Sequence, residues 1–396
     1  MDGTKRLALR REREARAPVV LQGGFRPFFL ASALWFLLAM ALWLAVLAAA
    51  ITLPSHFGTL AWHRHELIFG GVGAAMTGYL LTATPNWSGR LPAIGMPLLA
   101  MLIWWMLARA ANAFAGWAGP WPAAAIDAGF FFALAFVCGR ESWHGKGRGA
   151  LNAVLVGIFA VACAAHHLSG AGIGVGQPAS GRAGIAVLVV MISLIGGKLV
   201  PSFTRNALPA AVRSAVTAQH TRFDMLVNSV SGLAVLLWVA ETGEAAHVAL
   251  TIAGLLQTAR AIGWQPWRVM HEPSTLSLHI GYAWLPLGLL ALAFVDDSQQ
   301  PAITHLLTAG AISCMILAVM ARMSITQTGR EPRWRIAPLI AVLLASAGAT
   351  VRIVAGTELI PVQEGWFLAG ALWMLGFALF LLAFGPILFR PRARRK

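Results

Sequence analysis

The sequence predicts an all-α fold: a polytopic membrane bundle of about twelve helices with both termini in the cytoplasm. Three observations predict it. Of 396 residues, 58% are hydrophobic and only 11% are charged, against roughly 25% charged residues in soluble domains. Apolar runs of about 20 residues, the length needed to cross a bilayer, recur along the whole chain. Lysine and arginine gather in alternate connections between those runs, the bias that orients membrane proteins.

The runs place helices near 29–51, 66–84, 95–115, 122–140, 151–170, 183–204, 224–241, 245–263, 274–295, 302–321, 336–356 and 365–389. Proline and glycine clusters such as "PNWSGRLPAIG" and "GREPRWRIAP" separate them. Residues 1–28 form a basic tail, too polar for a signal peptide, and its Arg10-Arg11 pair lacks the apolar context of a twin-arginine export signal. Residues 29–389 form one transmembrane domain, and 390–396 a second basic tail. No internal repeat stands out.

With the first tail in the cytoplasm, loops and tails on that side hold 25 of the 30 lysines and arginines. They include Arg90, Lys146, Arg148, Arg222, Arg260 and Arg335. The opposite loops carry Glu241, Glu244, Asp296, Asp297, Glu358 and Glu364. The formal net charge of +15 is therefore topological, and a nucleic-acid partner is excluded. The partner that the composition demands is the lipid bilayer, crossed many times.

Against this apolar background the stretch "LAWHRHELIFGG" (60–71) stands out. His63 and Glu66, three residues apart, share a helix face, whereas His65 points roughly opposite His63. Below them Gly70, Ala74 and Gly78 form a small-residue stripe that permits close helix approach. His56, His166, His167, His247 and His305 also fall near outward helix ends, with Arg109, Asp127 and Arg352 in the outer halves of their helices. Ionisable groups inside a membrane usually face the bundle interior or a water-filled cavity. One outward layer thus collects histidine, carboxylate and arginine, although any single histidine there is also explained by headgroup contact. On the cytoplasmic side His279 and Lys198 form a thinner set. The three cysteines, Cys138, Cys163 and Cys314, sit alone in apolar runs, with no CxxC or CxxCH spacing, so covalently attached haem is unsupported. With no cysteine ligand expected, imidazole donors suit a non-covalent b-type haem or a histidine copper site.

Several segments resemble the NnrS family: "GFRPFFLASAL" (24–34), "WHRHELIFG" and "LLTATPNWSGR" (62–90), "GGKLVPSFTRNAL" (196–208), "LHIGYAWLPLGLL" (278–290) and "THLLTAGAISCMILAVMARMSITQTGR" (304–330). The resemblance implies an inner-membrane protein with haem and copper, tied to nitric oxide metabolism and nitrosative stress in denitrifying and related bacteria. The family's motif histidines and glutamate fall on His63, His65, Glu66, His167, His279 and His305, leaving His166 as an extra. Two positions depart: Lys198 stands where the family reads arginine, and Gln327 where it reads histidine.

These residues give a set of expectations. His63, His65, His167 and His305 are the expected metal ligands, and His65, His279 and His305 the expected cofactor-binding residues. Glu66, Arg109 and Arg352 are the expected catalytic groups, handling protons or charge. Haem b and copper are the expected cofactors, nitric oxide the ligand or substrate, and an electron donor a further partner. Nitric oxide is small, neutral and lipid-soluble, so a buried centre is reachable without a polar channel. Reduction of nitric oxide and simple binding both stay open. A secondary transporter for a metal ion or an anion is the alternative, disfavoured because the two halves lack the paired, interrupted helices of transporters.

Overall fold

The computed structural model describes residues 3–393 apart from 146, 148, 175, 217–220, 297 and 358, and for 3–7 the backbone only. Lys146, Arg148, Asp297, Glu358 and residues 394–396, counted in the charge asymmetry, lie outside the described residues. The described residues are helical and irregular, with no strand among them.

Twelve helices are long and apolar enough to cross a membrane: α1 (Phe25–Leu47), α2 (Thr59–Ser88), α3 (Met96–Ala113), α4 (Pro120–His144), α5 (Ala150–Gly170), α6 (Gln177–Ala207), α7 (Arg222–Val239), α8 (Glu244–Gly263), α9 (Pro273–Phe294), α10 (Gln300–Thr328), α11 (Ala337–Gly356) and α12 (Val362–Leu388). Local chemistry sets their ends. Gly89, at φ 74°, closes α2 in the left-handed conformation open to glycine. Thr221 and Asp224 form a reciprocal capping box at the start of α7. The boundaries shift where the ends are polar. α2 begins at Thr59 rather than near 66, because Trp62 and His65 are buried and the helix continues through them. α1 begins at Phe25 rather than 29, and Arg26 is buried, donating to the Leu388 and Arg390 carbonyls at 2.5 and 2.9 Å.

The chain packs as two compact units. The first comprises Met1–Gly184, Met323–Arg330 and Phe384–Lys396; the second comprises Ile185–Arg322 and Glu331–Ala383. In the first, glycines of α2 admit large rings from its neighbours. A methyl group added at Gly71 would collide with Phe36, and one at Gly73 with Phe131. The expected stripe is equally tight, a methyl at Gly70 meeting Trp35 and one at Gly78 meeting Phe28, and this close approach draws α1, α2 and α4 together around Phe28, Phe69 and Phe130, all fully buried.

Three helices change winding along their length. π-helical segments run over Glu66–Val72 in α2, Ile192–Gly196 in α6 and Leu306–Ile312 in α10. Wider winding loosens the regular backbone ladder, and side chains bond to carbonyls in these stretches. Trp105 Nε1 donates to Gly70 at 3.2 Å, Ser32 Oγ to Gly71 at 2.8 Å, and Arg260 Nη1 to Ser193 at 3.0 Å.

The winding also reveals an internal likeness that the residues alone do not display. In α2 and α10 a histidine, His65 or His305, directly precedes the π segment. Both helices run on to a positive-φ glycine, Gly89 or Gly329, and then an arginine, Arg90 or Arg330. The shared feature is backbone geometry in a common register, while side chains such as Glu66 and Leu306 differ.

In the second unit Arg260 is buried and bonds to Asp224 at 2.8 Å. Gln257 Nε2 donates to Ser193 and Ser231, and Tyr282 donates to Gln257 at 2.6 Å. Arg260 was expected among the loop cations; burial beside Asp224 makes it part of a closed polar core instead.

Candidate metal centre

Four helices of the first unit bring polar side chains to one buried point. α2 supplies His65 and Glu66 at the start of its π segment, α3 supplies Arg109 and Asn112, α4 supplies Asp127, and α5 supplies Cys163 and His167. None of His65, Glu66, Arg109, Asn112, Asp127, Cys163 and His167 is more than 3% exposed.

Asp127 is the hub. Its Oδ2 lies 2.7 Å from His65 Nε2, 3.4 Å from His167 Nε2 and 2.8 Å from the donating Asn112 Nδ2. Its Oδ1 accepts from Arg109 Nη2, while Arg109 Nη1 donates to Glu66 Oε2 at 2.7 Å. Cys163 sits one helical turn before His167 and so shares its face. One ligand atom from each of His65, Asp127, Cys163 and His167 lies within 4.8 Å of the others.

This is the geometry of a site for a small cation. Neutral imidazole, thiolate and carboxylate are the donors that divalent and monovalent transition metals take. Two carboxylates face one guanidinium, so with both ionised the cluster carries one uncompensated negative charge, which is costly in a buried site. A cation held there would neutralise it. The Nδ1 atoms of His65 and His167 are buried and find no hydrogen-bond partner among the described residues. Buried polar atoms are seldom left unpaired without a reason such as an ion or water.

Further rings line the same pocket of aromatic density. Phe57, in the connection between α1 and α2, lies 4.5 Å from His65, 5.1 Å from His166 and 4.9 Å from His167 between ring centroids. His56 stacks on His167 at 5.5 Å and 13°. Burial, with His167 beside it, pushes the His56 imidazole down to about 4. Both of its ring nitrogens are buried with no hydrogen-bond partner among the described residues. His166 is tied elsewhere, with Ser180 Oγ at 3.0 Å from Nδ1 and the Ala61 carbonyl at 3.3 Å from Nε2.

The NnrS family model, described as "NnrS protein", matches residues 19–392. The chain belongs to the NnrS family. No curated protein matches it.

Within this NnrS chain the expected site residues divide between the two units. His65, Glu66, Arg109 and His167 meet in the cluster just described. His63 does not: it stacks on Trp43 at 4.3 Å, as its i, i+2 spacing from His65 requires. His305, His279 and Arg352 belong to the second unit. His305 Nδ1 donates to the Pro301 carbonyl at 2.9 Å, the arrangement in which an imidazole ligates through Nε2. His279 Nε2 lies 2.8 Å from Thr204 Oγ1, and that hydroxyl donates to the Val200 carbonyl at 2.8 Å. Arg352 packs over the Trp366 ring at 5.1 Å.

Two members of this cluster, Cys163 and Asp127, are not among the ligands expected from the sequence. The sequence predicts no available cysteine ligand; the structure instead places Cys163 beside His167 within the candidate cluster. Its i, i+4 spacing from His167 was the available signal. Asp127 stood out as a charge inside an apolar helix, but only the tertiary structure makes it the shared partner of two imidazoles. Asn112 carried no signal at all.

Proposed function

We propose that this NnrS protein is a bacterial inner-membrane copper and haem b protein that binds or turns over nitric oxide, with both termini in the cytoplasm. The observation that carries this reading is the buried cluster of His65, Asp127, Cys163 and His167, with its mixed donor atoms and unpaired imidazole nitrogens. The donor set fits a copper ion. Copper held there would offer nitric oxide a coordination position within the bilayer.

The chain's own residues then have distinct tasks. Asp127 accepts the Nε2 protons of His65 and His167 and so fixes both rings. Arg109 bonds to both Asp127 and Glu66 and so holds the two groups at one spacing. Glu66, at the start of the π segment, is the group placed to take or give a proton beside the metal. Phe57 and Phe69 keep water from the rings. Haem would be held elsewhere, because the ligand atoms of this cluster lie within 4.8 Å of one another. His305, with Nδ1 anchored to a carbonyl, would be the residue to hold haem, and His279 the next. Electrons for turnover would come from a separate donor protein.

Metal analysis of the purified protein tests the reading. Copper near one per chain in the wild type, lost in His167→Ala but kept in His63→Ala, supports it. Equal copper in both variants overturns it.

A further inference from the structure

At the far end of α2 from His65, the first unit opens a cleft of about 580 Å³ between the ends of α2 and α4, the start of α3 and a short helix, Gly3–Arg16, in the amino-terminal tail. Its inner wall is apolar, with Leu80, Leu81, Pro97 and Val137. Its rim carries Arg13, Arg90 and Arg140 against a single carboxylate, Glu141. Glu141 is only 6% exposed and is shared, with Arg90 Nε at 3.0 Å and Arg140 Nη2 at 3.3 Å. One acid cannot neutralise three guanidinium groups, so the rim keeps a surplus of two positive charges. Thr84 also lines the cleft; its hydroxyl is buried and finds no nitrogen or oxygen partner among the described residues.

The position fits a headgroup. α2 has 30 residues, about 45 Å of helix, longer than the roughly 30 Å hydrocarbon layer. Its end therefore reaches the lipid phosphates. Trp143, 86% exposed at the end of α4, is the residue type that settles at that level.

We propose that this cleft binds an anionic phospholipid. Its phosphodiester lies among Arg13, Arg90 and Arg140, and its acyl chains run down the apolar wall of α2 and α4. A free phosphate would use the rim alone and leave that wall without purpose. Guanidinium groups suit the task through their planar, paired donors. Glu141 holds Arg90 and Arg140 in place, and at the same time competes with the lipid for them.

Native mass spectrometry on the full-length protein tests this, after incubation with phosphatidylglycerol or with phosphatidylcholine of matched chains. The expected result is at least about tenfold better retention of phosphatidylglycerol, an advantage mostly lost when Arg90→Gln and Arg140→Gln are combined. Glu141→Gln should strengthen retention, because both arginines lose their internal competitor; mere loss of structure would weaken it. The paired Arg90→Lys, Arg140→Lys variant keeps the charge and should keep the preference. Equal retention of the two lipids overturns the proposal, as does an unchanged preference in the double glutamine variant or weaker binding in Glu141→Gln. Full displacement of phosphatidylglycerol by millimolar inorganic phosphate would assign the cleft to a free anion and overturn the lipid as its occupant.

Discussion

His65 Nε2 and Asp127 Oδ2 lie 2.7 Å apart where α2 meets α4, and both side chains are fully buried. One carboxylate thereby joins two imidazoles, an amide and a guanidinium, so the stability of the first unit and the binding of any metal there depend on the same side chain.

Removing the charge at this hub should be felt twice. Asp127→Asn leaves Arg109 with Glu66 as its one carboxylate and puts an amide against Asn112 Nδ2. Breaking a buried ion pair from one side costs about 3–5 kcal/mol. Thermal unfolding should fall by several degrees, and bound copper should be lost in the same variant. A protein with wild-type melting and copper would remove Asp127 from the hub.

Arg109 offers a compensation test. Arg109→Leu strands two buried carboxylates and should unfold or fail to accumulate. Adding Glu66→Gln removes one of those charges, so the double variant should recover part of the loss. Folded-protein yield and melting temperature of the two variants decide the matter, and no recovery would contradict the charge balance described for this cluster.

Haem, where present, must be held by side chains alone, because the sequence has no CxxCH. It should extract fully into acid acetone, and His305→Ala should lower haem content without lowering copper. Haem that stays with the polypeptide contradicts this, as does joint loss of both cofactors.

Orientation follows from the arginine distribution. Reporter fusions after Arg90, Arg222 and Arg335 should all give a cytoplasmic signal, which places the metal cluster towards the periplasm and the basic cleft towards the cytoplasm. An external signal at any two of them would invert that assignment.

The twelve helices were legible because a membrane span needs little more than a long apolar run. Their ends were less so: α2 runs seven residues further back than hydropathy suggests, since His63, Arg64 and His65 look like a loop until Trp62 and His65 are seen buried. The π segments were not legible, because the same residues satisfy either winding and only tertiary partners such as Trp105 and Arg260 take up the backbone carbonyls. His65, Glu66 and His167 were recognisable through the family motifs, and Arg109 as a charge inside the membrane. Cys163 was not, because a lone cysteine in an apolar run is chemically silent until its neighbours are known. The pairing of Arg109 with both Glu66 and Asp127 joins three helices, a relation that no local pattern encodes.

The most direct measurement is copper-edge X-ray absorption on the copper-loaded protein, compared with Cys163→Ser. The account predicts a sulfur neighbour together with imidazole nitrogens in the wild type, and loss of the sulfur with retention of the nitrogens in the variant. A spectrum with no sulfur shell, or one that Cys163→Ser leaves unchanged, would contradict the placement of copper among His65, Asp127, Cys163 and His167.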